Sequence, residues 1–190
     1  MNAAVDMLQC KPAEAEKMYQ RALEGFENTH GPKHTLTINT VHNLGLFYRD
    51  QGKLDEAEKM FRRALKENEK ALGPEHTLTI NTVNSLGLLY MDQGKLAEAE
   101  KMFRRALDGY ERTLGPEHTS TLNTVNNLGT LYIDQGKLAE AENIYRRALE
   151  EMRRHMVQSI HQHLRQLTSW ASSTRVRVSW LRRRRRTCAH

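Results

Sequence analysis

The sequence of 190 residues contains only two cysteines, four prolines and no long apolar run. Cys10 and Cys188 lie near opposite ends without a Cys-x-x-Cys pair, so a reduced intracellular setting is the simpler interpretation. No apolar run approaches the roughly 18 residues of a membrane-spanning helix, and residues 1–9 lack the basic and apolar regions of a secretory signal. We therefore expect a cytoplasmic protein with no membrane partner.

Acidic residues are absent from the last part of the chain. Residues 1–151 carry 19 Lys and Arg against 23 Asp and Glu, a net charge of −4. Residues 152–190 carry 10 Arg, no Lys and no acid, a net charge of +10. The hydrophobic share of 38% is below that of most globular domains. A thin stack of units, each contacting only its neighbours, fits this composition better than one compact core.

The most regular feature of the sequence is an internal repeat. The dipeptide Gly-Pro recurs at Gly31, Gly73 and Gly115 with a constant offset (73 − 31 = 42 and 115 − 73 = 42). The segments between these positions are near-copies of one another. Self-similarity with a fixed period of this size indicates a solenoid of stacked units.

Each unit is predicted to be a hairpin of two helices. In the middle unit, apolar residues at three- and four-residue steps predict helices over residues 77–92 and 96–114. Gly94 is placed to end the first helix, and Gly115 with the proline after it to end the second. Acid-first pairs four residues apart, each worth about 0.2–0.5 kcal/mol, support the second helices: Glu58–Arg62, Glu100–Arg104 and Glu142–Arg146.

Glycine also recurs inside the first helices, at Gly45, Gly87 and Gly129. Since glycine costs about 1 kcal/mol relative to alanine inside a helix, we expect each of them to allow the close approach of a partner backbone. Small residues of the second helices are expected to supply the flat surface opposite: Ala57, Ala64, Ala99, Ala106, Ala141 and Ala148.

The repeat predicts the domain organisation. A partial repeat, mainly its second helix, precedes three full repeats and a basic tail: residues 1–32, 33–72, 75–114, 117–152 and 153–190. Pro12 is expected in the first turn of the helix after residues 1–9, where a missing N–H group has no effect. Because most of the preceding helix is missing, we expect either a fragment or a chain that self-associates through this incomplete repeat.

These motifs carry a family resemblance. Leu-Gly-x-x-Tyr at 86–90 and Ala-x-x-x-Phe-x-x-Ala at 99–106 resemble the tetratricopeptide (TPR) repeat, whose usual period is about 34 residues. The chain is similar to the kinesin light chain subtype in three features. These are the longer period and the two motifs Leu-Gly-Pro-Glu-His and Gln-Gly-Lys-Leu-x-Glu-Ala-Glu. The resemblance implies an all-α fold, a right-handed α-α superhelix (TPR solenoid), here with a basic C-terminal extension. It also implies a non-catalytic scaffold that binds a protein or peptide in its concave groove.

In this family the first helices line the concave face. The corresponding positions here alternate between amide and apolar side chains, and amides donate to and accept from an extended peptide backbone of any sequence. A solvated helix face without a ligand stays open as the alternative. The predicted peptide-binding groove consists of Asn39, His42, Asn43, Leu46, Arg49, Asn81, Asn84, Leu88, Met91, Asn123, Asn126, Asn127, Thr130 and Ile133.

No pattern in the sequence indicates catalysis, a cofactor or a metal site. Ser85 and Ser120 lack a convincing base and acid, and the Gly-x-x-x-x-Gly-Lys phosphate loop is absent, so we do not expect an enzyme. His34, His76 and His118 recur once per repeat. Metal ligands lie about 2 Å from their ion, whereas packed helices lie about 8–10 Å apart. These histidines are therefore expected to have a structural role near the start of the next helix.

The last part of the chain departs from the repeat. Residues 152–167 are predicted to continue the last helix, with Met156, Ile160, Leu164 and Leu167 on an apolar edge that covers the end of the stack. Three interpretations of the tail stay open: a disordered solvated end, a nuclear-import or nucleic-acid-binding patch, and a chance sequence from an altered reading frame. The second interpretation depends on five consecutive arginines: Arg182, Arg183, Arg184, Arg185 and Arg186.

Overall fold

A computed structural model of the chain describes the backbone of residues 3–187 and the side chains of residues 12–166 and 168. Over residues 3–187 the chain forms seven α-helices and no β-strand, so the predicted all-α fold is confirmed. None of these helices combines the length and the apolarity needed to cross a bilayer. The helices are α1 (Ala3–His30), α2 (Thr35–Asp50), α3 (Leu54–Ala71), α4 (Thr77–Asp92), α5 (Leu96–Thr113), α6 (Thr119–Asp134) and α7 (Leu138–Thr187).

Three helical hairpins follow α1: α2 with α3, α4 with α5, and α6 with the start of α7. Helix α4 has the bounds predicted from the sequence, and α5 ends one residue before the predicted Leu114. The turn between them depends on Gly94, whose φ of 71° lies in the left-handed region that glycine adopts readily. The core of the middle hairpin is a buried cluster of Ile80, Val83, Ala106 and Tyr110.

Histidine caps the N-terminus of the first helix in each hairpin. The backbone N–H two residues further on donates to Nδ1 of His34 at 3.3 Å, of His76 at 3.2 Å and of His118 at 3.1 Å. Each bond satisfies one of the N–H groups that a helix start leaves without an intrahelical acceptor. The predicted structural role of these histidines is therefore confirmed.

An aromatic ring fills the gap left by each recurring glycine. A Cβ atom at Gly87 would lie 2.6 Å from Cε1 of Phe103, and one at Gly45 would lie 2.8 Å from Cε1 of Phe61. Tyr145 takes the same place against the glycine of α6. The expectation of a close backbone approach is thus wrong, because the partner is the ring of the second helix. The alanines are buried as expected, except for the half-buried Ala148: Ala57, Ala64, Ala99, Ala106 and Ala141.

The start of the chain differs from its prediction. Helix α1 runs without interruption from Ala3 and contains Pro12 in its interior, so the expected helix start near Pro12 is wrong. In the later hairpins the turn occurs at glycines with positive φ, such as Gly94. The equivalent position one repeat before Gly52 holds Cys10. A residue with a Cβ atom disfavours positive φ, so this segment lacks the turn signal of the other repeats.

The chain divides into two compact units, residues 1–146 and 147–190. In the second unit α7 continues as helix, because positions 157 and 158 hold Val and Gln where the period calls for Gly and Pro. The continuation of the helix through residues 152–166 is therefore confirmed. Met156 and Ile160 of the predicted apolar edge are 60% and 51% exposed, and the side chain of Leu167 lies outside the described residues. The role of this edge as a cap stays a prediction.

We predict that Gly87→Ala destabilises the protein. The new Cβ atom would press on the ring of Phe103, and overpacking of this kind costs about 1–3 kcal/mol, offset by about 1 kcal/mol of improved helix propensity. The measurement is the free energy of unfolding from urea denaturation.

The matched control is Gly25→Ala in α1, where no atom lies within 4 Å of the added Cβ atom. There only the gain in helix propensity remains, so stability should rise by up to about 1 kcal/mol. Equal effects of the two substitutions would contradict this account of the recurring glycines.

Candidate functional site

The first helices of successive hairpins lie next to one another. His42 Nδ1 of α2 is 3.3 Å from Thr82 Oγ1 of α4. One repeat later, Thr124 Oγ1 of α6 lies 3.3 Å from Asn84 Oδ1 of α4. These contacts place α2 beside α4 and α4 beside α6. We call the surface that carries the predicted groove residues the α2–α4–α6 face. It consists of the fourteen residues predicted above to bind a peptide.

A cluster of charged and aromatic side chains joins each repeat to the next. In the middle joint, Lys95 donates to Glu58 Oε2 at 3.3 Å and Gln93 donates to the same oxygen at 3.0 Å. Arg62 donates to Glu58 Oε1 at 2.8 Å and to the Tyr90 hydroxyl at 3.0 Å. We call such a cluster, centred on a glutamate of one repeat and completed by a tyrosine and a lysine of the next, an inter-repeat joint.

The other two joints repeat the glutamate, the tyrosine and the lysine, and the first of them has Gln20 in place of the arginine. Lys53 and Tyr48 donate to Glu16 at 2.7 and 3.1 Å. Lys137 and Tyr132 donate to Glu100 at 3.1 and 3.3 Å. The joints hold α2, α4 and α6 in register and thereby position the α2–α4–α6 face. The three predicted Glu–Arg pairs of the second helices are also confirmed.

The joints lower the pKa values of their glutamates. Burial alone would raise the pKa of Glu100, but the hydrogen bond and the charge of Lys137, together with Arg104, outweigh burial and lower it. Burial is likewise outweighed at Glu58, where the hydrogen bonds from Gln93, Arg62 and Lys95 lower the pKa. The hydrogen bond from Lys53 is the largest influence that lowers the pKa of Glu16.

We predict that these joints make stability fall in acid. A carboxyl group whose pKa is lower in the folded state stabilises the protein above its unfolded pKa and loses that effect as the pH falls through its folded pKa. Unfolding free energy should therefore decrease below about pH 4.5, and less steeply in Glu100→Gln than in the original chain. Urea denaturation between pH 7 and pH 3 measures the slope.

The control for this prediction is Glu98→Gln, since Glu98 is exposed on the same helix. Its removal should leave the pH dependence unchanged. A parallel fall of stability with pH in Glu100→Gln and the original chain would contradict the role of the joint.

Asparagines on the α2–α4–α6 face are held by hydrogen bonds from the scaffold. The Tyr110 hydroxyl donates to Asn81 Oδ1 at 2.5 Å. Thr124 Oγ1, which donates its single proton to the Ser120 carbonyl at 2.8 Å, lies 3.3 Å from the side-chain amide of Asn84. The Tyr145 hydroxyl lies 3.4 Å from the backbone oxygen of Asn126. The sequence alone did not indicate these contacts. The bond from Tyr110 uses the amide oxygen of Asn81 and leaves its NH₂ group without a protein acceptor among the described residues.

Apolar side chains lie between these amides. Leu46, Leu88 and Met91 are half-buried, and Ile133 is 51% exposed. The rest of the predicted set is half-buried or exposed, so no member is lost to the core: half-buried Asn39, His42, Arg49, Asn81, Asn84 and Asn127, and exposed Asn43, Asn123, Asn126 and Thr130.

His42 replaces an amide of the later repeats. Its ring centroid lies 5.3 Å from that of Phe61, and burial lowers the pKa of His42. Burial thus favours the neutral imidazole, which, like an asparagine amide, contains both a donor and an acceptor.

Acidic residues flank the face at the ends of its helices. Arg49 Nε lies 2.5 Å from Asp92 Oδ2 and so connects α2 to α4. This ion pair neutralises Asp92. Asp50 and Asp134 are exposed at the equivalent helix ends and give the face its acidic charge.

A buried polar residue beneath the face was not predicted. Asn68 is 2% exposed, and its Nδ2 donates to Thr82 Oγ1 at 3.3 Å and to the Leu78 carbonyl at 3.4 Å. The signal in the sequence was a break in the repeat, since the equivalent positions hold Phe26 and Tyr110.

Two predictions concern sites elsewhere. The side chains of Arg182–Arg186 lie outside the described residues, so the proposed role of the arginines stays a prediction. Over the part of the chain that the structure describes, no group of three or more His, Cys, Asp and Glu side chains is arranged to hold a metal ion.

Comparison with known proteins gives one family and several similar folds. The sequence profile of the family described as Tetratricopeptide repeat matches residues 2–66, 37–90 and 78–153. No curated protein matches the chain. Among solved structures, BtubC (BKLC) from P. vanneervenii is similar with a TM-score of 0.68 and 22% identity, covering 76% of this chain and 58% of that one.

Two further similar structures contain nearly identical TPR-like repeats of a Podosopora anserina protein assigned provisionally as a kinesin light chain. Each has a TM-score of 0.68 and covers 75% of this chain and 68% of the other, with identities of 22% for a substituted variant and 21% for its parent. The chain thus spans little more than half of BtubC. Identities this low indicate a shared fold alone.

Proposed function

Because the chain belongs to the tetratricopeptide repeat family, whose members are typically non-enzymatic scaffolds for protein interaction, we propose that it binds an extended peptide segment of a partner protein on the α2–α4–α6 face. Repeats of this kind form extended binding surfaces. Similarity to the repeats of the Podosopora anserina protein supports a scaffold role of the kinesin light chain-like type.

The observation that carries the proposal is that the scaffold holds amide groups of the face in place. The Tyr110 hydroxyl donates to Asn81 Oδ1, so the NH₂ group of Asn81 is the part available to a ligand, and Thr124 Oγ1 contacts the amide of Asn84. An extended peptide presents a carbonyl acceptor at every residue. Amides that are already oriented lose little side-chain entropy when the peptide binds.

The half-buried apolar side chains supply the remaining attraction. Leu46 and Leu88 occupy equivalent positions on adjacent helices, and Met91 and Ile133 do the same one turn further along. Removing such surface from water contributes about 25 cal/mol per Å². The exposed carboxylates of Asp50 and Asp134 favour a ligand of basic or mixed charge.

The test uses the full chain and a random 16-residue peptide library displayed on phage. We expect enriched peptides to bind the variant Leu46→Ser with Leu88→Ser about tenfold more weakly or worse, because each serine removes apolar contact area. Binding is measured by fluorescence anisotropy, and circular dichroism confirms that the variant is folded.

The matched control replaces Lys59 and Lys101 by alanine, since both are exposed on the second helices of the same hairpins. It should retain full affinity. The proposal is rejected if no peptide is enriched, or if the serine variant binds enriched peptides as tightly as the original chain.

The charge of the tail favours a second candidate, a nucleic-acid-associated or nuclear role of residues 170–186. Ten arginines without an acid in residues 152–190 would neutralise phosphates. Oligonucleotide binding that weakens with salt and disappears when Arg182–Arg186 are deleted would support this role, whereas peptide binding should survive the deletion.

Self-association through residues 1–32 stays a prediction, to be measured by sedimentation.

A further inference from the structure

The inter-repeat joints show which surface each repeat presents to the next. Three glutamates at equivalent positions of successive repeats, Glu16, Glu58 and Glu100, each accept hydrogen bonds from the following repeat. The donors always include a lysine 37 residues after the glutamate. A tyrosine five residues before that lysine completes the cluster. These glutamate side chains are only 25%, 17% and 20% exposed.

The start of α7 carries a fourth copy of this surface without the partner residues. Glu142 and Arg146 stand one repeat after Glu100 and Arg104 and form the same ion pair. The Glu142 side chain is nevertheless 68% exposed. Where the period calls for the tyrosine and the lysine, the sequence has Thr174 and a serine at 179.

An apolar residue beside this glutamate is uncovered as well. Leu138 is 65% exposed, whereas its equivalents Leu54 and Leu96 are half-buried. The surface formed by Leu138, Glu142 and Arg146, which we call the open joint, thus has the chemistry of the filled joints and lacks only the residues that fill them.

We propose that the open joint is a docking surface for a helical hairpin of the same repeat type, carried by another polypeptide. The hairpin would present a tyrosine near the end of its first helix and a lysine five residues later in a glycine-containing turn. That pair would donate to Glu142, as Tyr132 and Lys137 donate to Glu100. The helix carrying the tyrosine would cover Leu138.

The chemistry favours this occupant over others. Two acceptor oxygens on Glu142 disfavour a nucleic acid, whose phosphates repel a carboxylate. The Tyr–Lys pairs of a second copy of this chain are already bonded to its own glutamates. A partner with a free pair of the same kind satisfies the surface without disrupting another joint.

The first experiment adds a labelled peptide of residues 117–153, carrying Glu142→Gln to inactivate its own open joint, to the full chain. We expect saturable binding that weakens about tenfold or more when the chain carries Glu142→Gln, because a hydrogen bond to a charged group is lost. A peptide with Tyr132→Phe and Lys137→Gln should bind equally weakly. Glu140→Gln in the chain, a nearby exposed acid, is the control and should have no effect.

If circular dichroism shows that the free peptide does not form a hairpin, the same hairpin is instead fused to the chain, and the proposal is tested in that fusion. Residues 157–190 are replaced by a second copy of residues 115–148, which preserves the spacing of the repeat. In that chain Glu142→Gln should lower the urea midpoint clearly more than in the original chain, where it removes only the exposed pair with Arg146. Equal effects in the two chains, or peptide binding that is indifferent to Glu142→Gln, would overturn the proposal.

Discussion

The fold depends on the contact between an aromatic ring of each second helix and a glycine of the first. Phe103 lies against Gly87 so closely that even a methyl group would not fit. The ring brings the two helices of a hairpin together and is fully buried. Because this contact fixes which side of the first helix points inward, it also determines which side chains remain on the α2–α4–α6 face.

Stacking of the hairpins depends on charge as well as on apolar packing. In each joint a glutamate is surrounded by donors from its own repeat and the next, so a partly buried carboxylate is satisfied and its pKa is lowered. A network of this kind constrains geometry more than a single surface ion pair, whose contribution is about 0–1 kcal/mol. Because the joints recur at equivalent positions, they align α2, α4 and α6, and the α2–α4–α6 face results from this alignment.

Much of the fold follows from the sequence, because turn glycines and helical spacing are local signals. The bounds of α4, the structural role of the histidines at helix starts and the tetratricopeptide resemblance are confirmed. The uninterrupted helix α1 was not predicted, because the first, weakly matching repeat was assumed to contain the same turn as the later repeats. That turn needs a glycine, and the equivalent position holds Cys10. The ring against Gly87 and the bond to Asn81 were missed because one sequence does not show which neighbour fills a space or uses an oxygen. The role of the predicted groove residues is a proposal.

The three repeats can be compared with one another to separate scaffold from binding face. The tyrosine and the lysine of the joints are the same in each copy, as at Tyr48, Tyr90 and Tyr132, because every hairpin must meet its neighbour in the same way. Side chains on the face differ, since Arg49 is replaced by methionine and then by isoleucine. Asn39 is the exception and recurs in all three repeats, as expected of a group that binds a peptide backbone, whose chemistry is the same at every residue. Identical amides beside variable side chains therefore match a ligand held through its backbone and selected through its side chains.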